Sequence, residues 1–264
     1  MPDPTESSPP PIVAVAVGNS RTRFGRFEGA SLHHPHSIDN ADPARVAADL
    51  VSAGGDDAIV VIASVNAPVA DAIEDHLAKR GHADRLYRVG RDLPIPVRHT
   101  LDDPTTVGVD RLVTALGAYS KAQQACVVVD AGTAVTVDFV DGEGVFHGGA
   151  ILPGARMMLQ ALHEHTSALP EVALGMEKLD LPTFGKDTPG AMRLGVASAV
   201  VGAVHRLVQR YAEFFGGYPQ IVATGGDAPL LFEHDEIVEH IVPDLQLMGI
   251  HAVCAHALLP ADDE

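Results

Sequence analysis

The sequence predicts an α/β fold in which two related half-domains enclose a ligand cleft. Strands rich in valine and isoleucine alternate with helical segments along the chain, an order that is typical of α/β proteins. A strand, a glycine turn and a return strand also occur twice, at 12–27 and at 126–140. Such a duplication indicates two half-domains that are built on one plan and face each other.

The second copy begins at Cys126 and reads C-V-V-V-D-A-G-T-A-V-T-V-D. Apolar residues lead into Asp130, after which Gly132 and Thr133 turn the chain back into another strand. A carboxylate at the end of a buried strand, beside a Gly-Thr turn, is suited to bind a cation or a polyphosphate. A hairpin whose aspartate is satisfied locally explains this stretch equally well.

The first copy reads V-A-V-A-V-G-N-S-R-T and lies near the N-terminus. Superposing Gly18 on the glycine of the second copy aligns Thr22 with Thr136 and Ala16 with Asp130. The first copy therefore has an alanine where the second copy has an acid.

The predicted N-terminal half-domain, 12–118, follows a leader at 1–11 whose proline and serine content predicts disorder. Glycines at 54–55 and at 81 are expected to end its first two helices. Strands are predicted at 12–17, 22–27, 32–38, 58–64 and 86–89, and helices at 41–53, at 68–80 and from 108–111 to about 123.

The predicted C-terminal half-domain, 119–264, begins with the second hairpin and ends with a helix. Prolines and a glycine make 166–188 irregular, whereas small residues in the long helix that follows suit close helix packing. Strands are predicted at 126–130, 135–140, 145–152 and 220–223, and helices at 155–164, at 189–215, after the turn at 224–227, and at 247–259.

Composition excludes several classes of function. The net charge is −17, from 35 acidic residues against 18 Lys and Arg, which disfavours binding to nucleic acid or to an anionic membrane. No apolar run is expected to reach the length of a membrane span, and no secretory signal is visible. Cys126 and Cys254 lie in apolar contexts and indicate reduced thiols in a cytoplasmic protein.

Four short polar motifs fall on turns between elements, where the ligand sites of α/β proteins usually lie. Each has an ordinary structural explanation when taken alone, such as a helix-start acid at Asp110. The motifs are G-N-S at 18–20, G-V-D-R at 108–111, D-A-G-T at 130–133 and T-G-G-D at 224–227.

Taken together and in this order, the motifs resemble those of the type III pantothenate kinases, members of the actin-like ATPase superfamily. The resemblance spans residues 12–259 and includes G-G-A-I-L-P-G at 148–154, H-T-S-A-L-P at 165–170 and G-K-D-T at 185–188. It implies two actin-like (ribonuclease H-like) half-domains that bind ATP, with Mg²⁺, in the cleft. It also implies phosphorylation of pantothenate at its primary hydroxyl, the first step towards coenzyme A.

Phosphoryl transfer needs a positioned hydroxyl, a group that accepts its proton, and donors around the phosphates. Asp110 is the best candidate for the base, because a helix-start carboxylate in a cleft is placed to hydrogen-bond a hydroxyl. The family resemblance implies the same role at this position. Arg111 suits the carboxylate of the substrate, although a structural salt bridge explains it equally well. Phosphate donors are expected from Gly18, Asn19, Ser20, Gly132 and Thr133.

The resemblance implies roles for further residues. Asp130 would hold K⁺ or NH₄⁺, and Gly225 and Gly226 would approach the adenosine. Thr188 would reach the acceptor pocket from a second subunit, so that a homodimer is expected. The residues expected to bind pantothenate are Asn19, Gly108, Asp110, Arg111, His165, Thr166 and Thr188.

The chain departs from the family pattern at three positions. Ala16 stands where an aspartate associated with Mg²⁺ is usual, Leu101 where a tyrosine is usual, and Asp103 where an asparagine is usual. Loss of the acid predicts weak Mg²⁺-ATP binding and slow turnover. The alternative to an active kinase is therefore a weak or inactive relative that binds a ligand or acts as a regulatory partner.

Overall fold

The chain forms two compact units, each with its own β-sheet, in the computed structural model, which describes residues 10–55, 57–175 and 183–257. Among these residues, the first unit comprises 10–55, 57–96, 106–117 and 246–257, and the second comprises 97–105, 118–175 and 183–245. Residues 1–9 of the predicted leader therefore lie outside the described part of the chain. The same holds for residues 176–182 of the irregular segment and for the last two residues of the predicted final helix.

The first sheet has the strand order β3-β2-β1-β4-β5. Its strands are β1 (Ile12–Val17), β2 (Arg21–Glu28), β3 (Ser31–Asp39), β4 (Ile59–Ser64) and β5 (Leu86–Arg88). β1 pairs antiparallel with β2 and parallel with β4, so it is central. All six of its residues are buried, which explains its unbroken apolar sequence.

Four helices belong to this unit wholly or in part: α1 (Pro43–Gly54), α2 (Ala67–Ala78), α3 (Val109–Ala122) and α7 (Leu245–Ala257). Alternate residues of β1 enter two apolar clusters, as the two-residue period of a strand requires. Val13 and Val15 pack with α1 and α2, whereas Ala14 and Ala16 pack with residues of α3 and α7.

The second sheet has the order β11-β10-β7-β8-β9-β6. Its strands are β6 (Arg98–His99), β7 (Cys126–Ala131), β8 (Ala134–Val140), β9 (Val145–Pro153), β10 (Gln220–Thr224) and β11 (His240–Ile241). The strands β6 and β11 were not predicted, because a strand of two residues is too short to show a sequence pattern and is recognised only by its pairing with a neighbouring strand. The helices are α4 (Ala155–Glu164), α5 (Thr188–Phe215) and α6 (Ala228–Phe232).

Helix α5 is long and apolar enough to cross a membrane by length and composition, contrary to the expectation that no segment reaches that length. Its valines at 196, 200, 204 and 208 are buried in the core cluster that includes β7 and β8. A stripe with this spacing covers one face of a helix. We therefore interpret α5 as a core helix of the second unit.

The duplicated hairpin is present in both units, but the predicted alignment of its return strands is wrong by one residue. Val17 pairs with Thr22 across four turn residues, whereas Ala131 pairs with Val135 across three. Thr22 therefore corresponds to Val135, and both side chains are buried. The correspondence of Ala16 with Asp130 precedes the turn and is unaffected.

The position of α7 differs from the division at 118/119, which assigned this helix to the C-terminal half. Leu247, Ile250 and Val253 pack in an apolar cluster with Ala14 and Val61 of the first sheet. The helix therefore completes the core of the first unit, although it follows the second unit in sequence.

Ile250→Ala is expected to lower the free energy of unfolding by about 2–5 kcal/mol, because it leaves a cavity at a fully buried position. Urea denaturation followed by circular dichroism measures the change. His256→Ala, at an exposed position of the same helix, is the control and should change stability little. Equal stability of the two variants would contradict the assignment of α7 to this core.

Candidate functional site

The G-N-S turn of the first unit follows the carboxyl end of β1. The Gly18 N–H donates to the Arg21 carbonyl at 3.0 Å, which closes the turn, and Asn19 and Ser20 are exposed. The parallel strand β4 ends beside it, where the Val65 N–H donates to the Val17 carbonyl at 3.1 Å. The turn is thus at the edge of the sheet where parallel strands end.

Two asparagines that the sequence analysis did not identify hold this turn. Asn40 Nδ2 donates to the Gly18 carbonyl at 2.9 Å and to the Asn19 carbonyl at 3.2 Å. Asn66 Nδ2 donates to the same Asn19 carbonyl at 3.1 Å, and its Oδ1 caps α2. The N-cap signal was visible in the sequence, but the contact with the turn was not, since it depends on tertiary structure.

The G-V-D-R motif lies at the start of α3, as predicted, and near the G-N-S turn. Gly108 lies against the side chain of Val65, whose backbone is bonded to the end of β1. A Cβ at position 108 would collide with Asp110 Oδ1, so the carboxylate folds back over Gly108 and would have to move if this residue had a side chain. The structure therefore brings the G-N-S and G-V-D-R motifs to one edge of the first sheet.

Asp110 has an unusual electrostatic environment. Burial raises the pKa of its carboxyl group above the ordinary value, and this effect outweighs the hydrogen bond from the Arg111 N–H and the charge of Arg111, which lower it. The Arg111 N–H donates to Asp110 Oδ1 at 2.8 Å. A raised pKa makes a carboxylate a better proton acceptor, while its place in the first helical turn supports the negative charge.

In the second unit, the start of α4 packs on the turn between β7 and β8. The Gly154 N–H donates to the Thr133 carbonyl at 3.0 Å, and a Cβ on Gly154 would collide with the carbonyls of Gly132 and Thr133. Gly132 itself closes the turn by donating to the Ala134 carbonyl at 2.9 Å. The glycine in P-G at 153–154 is therefore required by a close approach between two backbones.

The T-G-G-D turn packs against the end of β7. Gly225 has a φ of +92°, and a Cβ there would collide with the Ala131 carbonyl and with Asp130 Oδ1. The Asp227 N–H donates to the same Ala131 carbonyl at 2.9 Å. Three segments thus meet at the carboxyl ends of β7 and β10: the D-A-G-T turn, the start of α4 and the T-G-G-D turn.

Arg156 was also missed by the sequence analysis. Its Nη2 lies 2.8 Å from Asp227 Oδ1, and its Nε donates to the same oxygen at 3.1 Å. This pair connects the start of α4 with the T-G-G-D turn. An arginine two residues after P-G carries no signal in a single sequence that would predict its partner.

The remaining predicted substrate residues of the second unit lie elsewhere. His165 and Thr166 follow the far end of α4, about 15 Å from its start for a ten-residue helix. The Thr166 hydroxyl donates to the Leu162 carbonyl at 2.7 Å and accepts from the Leu169 N–H at 3.3 Å. Thr188 is the exposed first residue of α5.

The two departures from the family pattern at 101 and 103 belong to the second unit. Leu101 packs near Gly148 of the G-G-A-I-L-P-G motif. Asp103 accepts hydrogen bonds from the Thr105 hydroxyl and N–H, which lower the pKa of its carboxyl group.

Two surface cavities of about 520 and 310 Å³ share Gln124 and Gln220. They lie at the amino ends of β7 and β10, opposite the ends where the motif turns meet.

The described residues offer few ligands for the expected ions. Within 10–55, 57–175 and 183–257, no three His, Cys, Asp or Glu side chains are grouped as a metal site. Asp130 Oδ1 and the Ala131 carbonyl, which also accepts the Asp227 N–H, both lie beside Gly225, and oxygen ligands are the type that a hard cation prefers. Ala16 is 2% exposed and packs among apolar side chains, so the first hairpin offers no carboxylate there.

Comparison with solved structures defines the fold. A conserved Baf family protein from Campylobacter jejuni superposes with a TM-score of 0.62 at 18% identity, covering 93% of this chain and 98% of its own. The activator of 2-hydroxyisocaproyl-CoA dehydratase from Clostridium difficile, with bound ADPNP, superposes with a TM-score of 0.55 at 13% identity, covering 96% and 100%. The chain shares the α/β fold of these proteins, which confirms the predicted α/β fold class.

Sequence comparison then defines the family. The type III pantothenate kinase profile matches residues 12–210. A type III pantothenate kinase from Rhodospirillum rubrum is 33% identical over 252 residues, which cover 90% of this chain and 96% of that protein. Another from Rubrobacter xylanophilus is 32% identical over 260 residues, covering 92% and 97%. The chain belongs to the type III pantothenate kinase family.

Membership in this family confirms the resemblance that the motifs carried. It makes the protein a kinase that uses ATP and a divalent metal ion. It gives no support to the alternative of an inactive regulatory relative.

Gly225→Ala is expected to destabilise the protein by at least about 1–2 kcal/mol, the cost of a side chain in a left-handed conformation, and the collision adds to it. Gly226→Ala is the matched control, because a Cβ there meets no atom within 4 Å. Thermal unfolding of both variants makes the comparison. A larger loss of stability in Gly226→Ala than in Gly225→Ala would contradict the close packing of Gly225 on β7.

Proposed function

We propose that the protein phosphorylates pantothenate with ATP to give 4′-phosphopantothenate, the first step of coenzyme A biosynthesis, in the cytoplasm. Family membership supports the reaction, and the environment of Asp110 supports its role as the general base. Its carboxylate begins a helix beside a glycine turn, and burial raises its pKa. The net charge of −17 argues against nucleic acid or an anionic membrane as a partner.

In the proposed reaction, the primary hydroxyl oxygen of pantothenate attacks the γ-phosphorus of ATP. Asp110 accepts the hydroxyl proton, and the bond to the ADP leaving group breaks. The Arg111 N–H orients the carboxylate through its hydrogen bond to Asp110 Oδ1. Positioning contributes much of the acceleration in phosphoryl transfer, and general-base catalysis adds to it.

The phosphates of ATP are assigned to neutral donors on both hairpins. Asn40 and Asn66 hold the carbonyls of the turn at 18–20, and the Gly18 N–H donates to the Arg21 carbonyl, so phosphate contacts are assigned to the exposed Asn19 and Ser20. In the second unit the Gly132 N–H closes its turn on the Ala134 carbonyl, and the phosphate contact is assigned to Thr133. Gly225 and Gly226 are assigned to the adenosine, because glycines permit a close approach to a ligand.

The acceptor side is assigned by family resemblance. Arg111 is proposed to pair with the carboxylate of pantothenate, for which a guanidinium fork is suited. Asn19 and Gly108 are proposed to line the same site, together with His165 and Thr166. Leu101, in place of the usual tyrosine, would make this wall more apolar.

A divalent ion such as Mg²⁺ supplies charge neutralisation on the phosphates when it is bound. Ala16 contributes no ligand to it, and its apolar surroundings would penalise an acid at this position. The simple restoration of the acid by Ala16→Asp is therefore expected to cost stability as well as to change metal binding. The ion would be held by ATP oxygens and water, because Asp138, a second acid of the β7–β8 hairpin, is only 2% exposed.

Asp110→Asn is expected to lower kcat by about 10²–10⁴-fold, the usual range for a general base. Stability should not fall, since burial disfavours the charged form that the variant lacks. In the unchanged protein, activity should be lost as pH falls through the raised pKa of Asp110, at a higher pH than for an exposed aspartate. A coupled assay for ADP across pH measures both effects.

The variant Asp49→Asn is the control, because it removes a partly exposed carboxylate from α1. It should keep the kinetics of the unchanged protein. Near-normal turnover of Asp110→Asn would exclude Asp110 as the base.

Replacing sodium by potassium at constant ionic strength is expected to raise turnover, because Asp130 and the Ala131 carbonyl offer oxygen ligands to a monovalent cation. Asp130→Ala should abolish the response to potassium and to ammonium. The coupled assay in matched chloride salts measures it. Equal rates in sodium and potassium would contradict a selective site at Asp130.

The protein is also proposed to be a homodimer through α5. The side chains of Ala191, Gly195, Ser198, Ala199 and Gly202 form an exposed strip of small residues on this helix. A Cβ added at Gly195 or Gly202 meets no atom within 4 Å. Small residues permit two helices to approach closely, and Thr188 at the helix start would then reach the partner's acceptor site.

Light scattering should give twice 27.7 kDa, and Gly195→Leu should shift the mass towards the monomer and raise KM for pantothenate. Gly142→Leu is the matched control, since Gly142 is exposed and also has open space around it. A monomer that has full activity would contradict the shared pocket.

A further inference from the structure

The ion pair between Arg156 and Asp227 joins an exposed side chain to a buried one. The Arg156 side chain is 56% exposed, whereas that of Asp227 is 6% exposed. Both Nε and Nη2 of the guanidinium bind the Oδ1 atom of the carboxylate, at 3.1 and 2.8 Å. Surface ion pairs usually contribute little, but a buried carboxylate that receives two charge-assisted hydrogen bonds is strongly dependent on its partner.

This pair closes a ring of contacts among three segments. The D-A-G-T turn is bonded to the start of α4 through the Thr133 carbonyl and the Gly154 N–H. It is bonded to the T-G-G-D turn through the Ala131 carbonyl and the Asp227 N–H. The side chains of Arg156 and Asp227 join the start of α4 to the T-G-G-D turn. This last link can be changed by substitution while the backbone links stay in place.

We propose that Arg156 is a positioning residue for the nucleotide, because it fixes the T-G-G-D turn through Asp227. The inference rests on the proposed function, in which Gly225 and Gly226 approach the adenosine. Two adjacent glycines have no side chains to restrain them and lose much conformational freedom when they are ordered. Two nitrogens of the arginine converge on one carboxylate oxygen, whereas a lysine has a single nitrogen to offer.

The role predicts a selective loss of affinity for the nucleoside part of the ligand. Arg156→Lys should raise the Kd for ADP by about tenfold, the effect of losing one charge-assisted hydrogen bond, and Arg156→Met, which removes both bonds, should raise it at least as much. The Kd for inorganic tripolyphosphate should stay unchanged, because the guanidinium acts on the turn and not on the phosphates. Calorimetry with the full chain measures both constants.

A second measurement needs no ligand. Amide hydrogen exchange at 225–228 should become faster in Arg156→Met and Arg156→Lys, because the turn opens more often when its side-chain restraint is lost. KM for ATP should rise while KM for pantothenate stays constant. Arg45→Met is the charge-matched control, since Arg45 makes a 4.0 Å exposed pair with Asp49 in the first unit. It should change none of these quantities.

The outcomes separate the inference from the proposed function. If ADP binds the unchanged protein and both Arg156 variants equally, the positioning role is overturned, whether or not pantothenate is phosphorylated. If tripolyphosphate and ADP lose affinity together, Arg156 is a direct phosphate ligand and the inference is also overturned. If Arg156→Met fails to fold, the conservative Arg156→Lys variant still decides the question. A protein that shows the selective ADP effect but does not phosphorylate pantothenate would overturn the proposed function alone.

Discussion

Parallel strand pairing is the constraint on which both groups of site residues depend. Val17 pairs with Ser64 in the first sheet, and Asp130 pairs with Thr224 in the second. Because the paired strands end at the same edge, the turn after one strand lies beside the residues that follow the other. This places the G-N-S turn next to Asn66, and it places the D-A-G-T turn next to Gly225. The motifs are far apart in sequence and become neighbours through backbone pairing.

The main elements and the four motif turns could be predicted because each has a local cause. Buried strands such as β1 read as unbroken apolar runs, and glycine at 54–55 ends α1 where the pattern predicts. Asp110 was placed at a helix start by the motif itself. The family could also be recognised from the sequence, since its motifs occur in the family's order along the chain.

What could not be predicted depends on contacts between distant residues. The extra turn residue of the first hairpin is visible only once Val17 is seen to pair with Thr22. Asn40 and Arg156 carry no pattern of their own, yet their partners are Gly18 and Asp227. The placement of α7 follows from the burial of its apolar face on the first sheet, which sequence order does not reveal.

The two hairpins use one backbone plan for different electrostatic tasks. Ala16 and Asp130 occupy equivalent places, but Ala16 is packed among apolar side chains while Asp130 is half-buried against Gly225. A net charge of −17 already opposes an anionic ligand, and a second acid would add to that opposition. A turn held by the amides of Asn40 and Asn66 offers donors without charge. In the proposed function, the divalent ion bound to ATP therefore neutralises the phosphate charge. The Asp130 carboxylate of the second unit binds a monovalent cation.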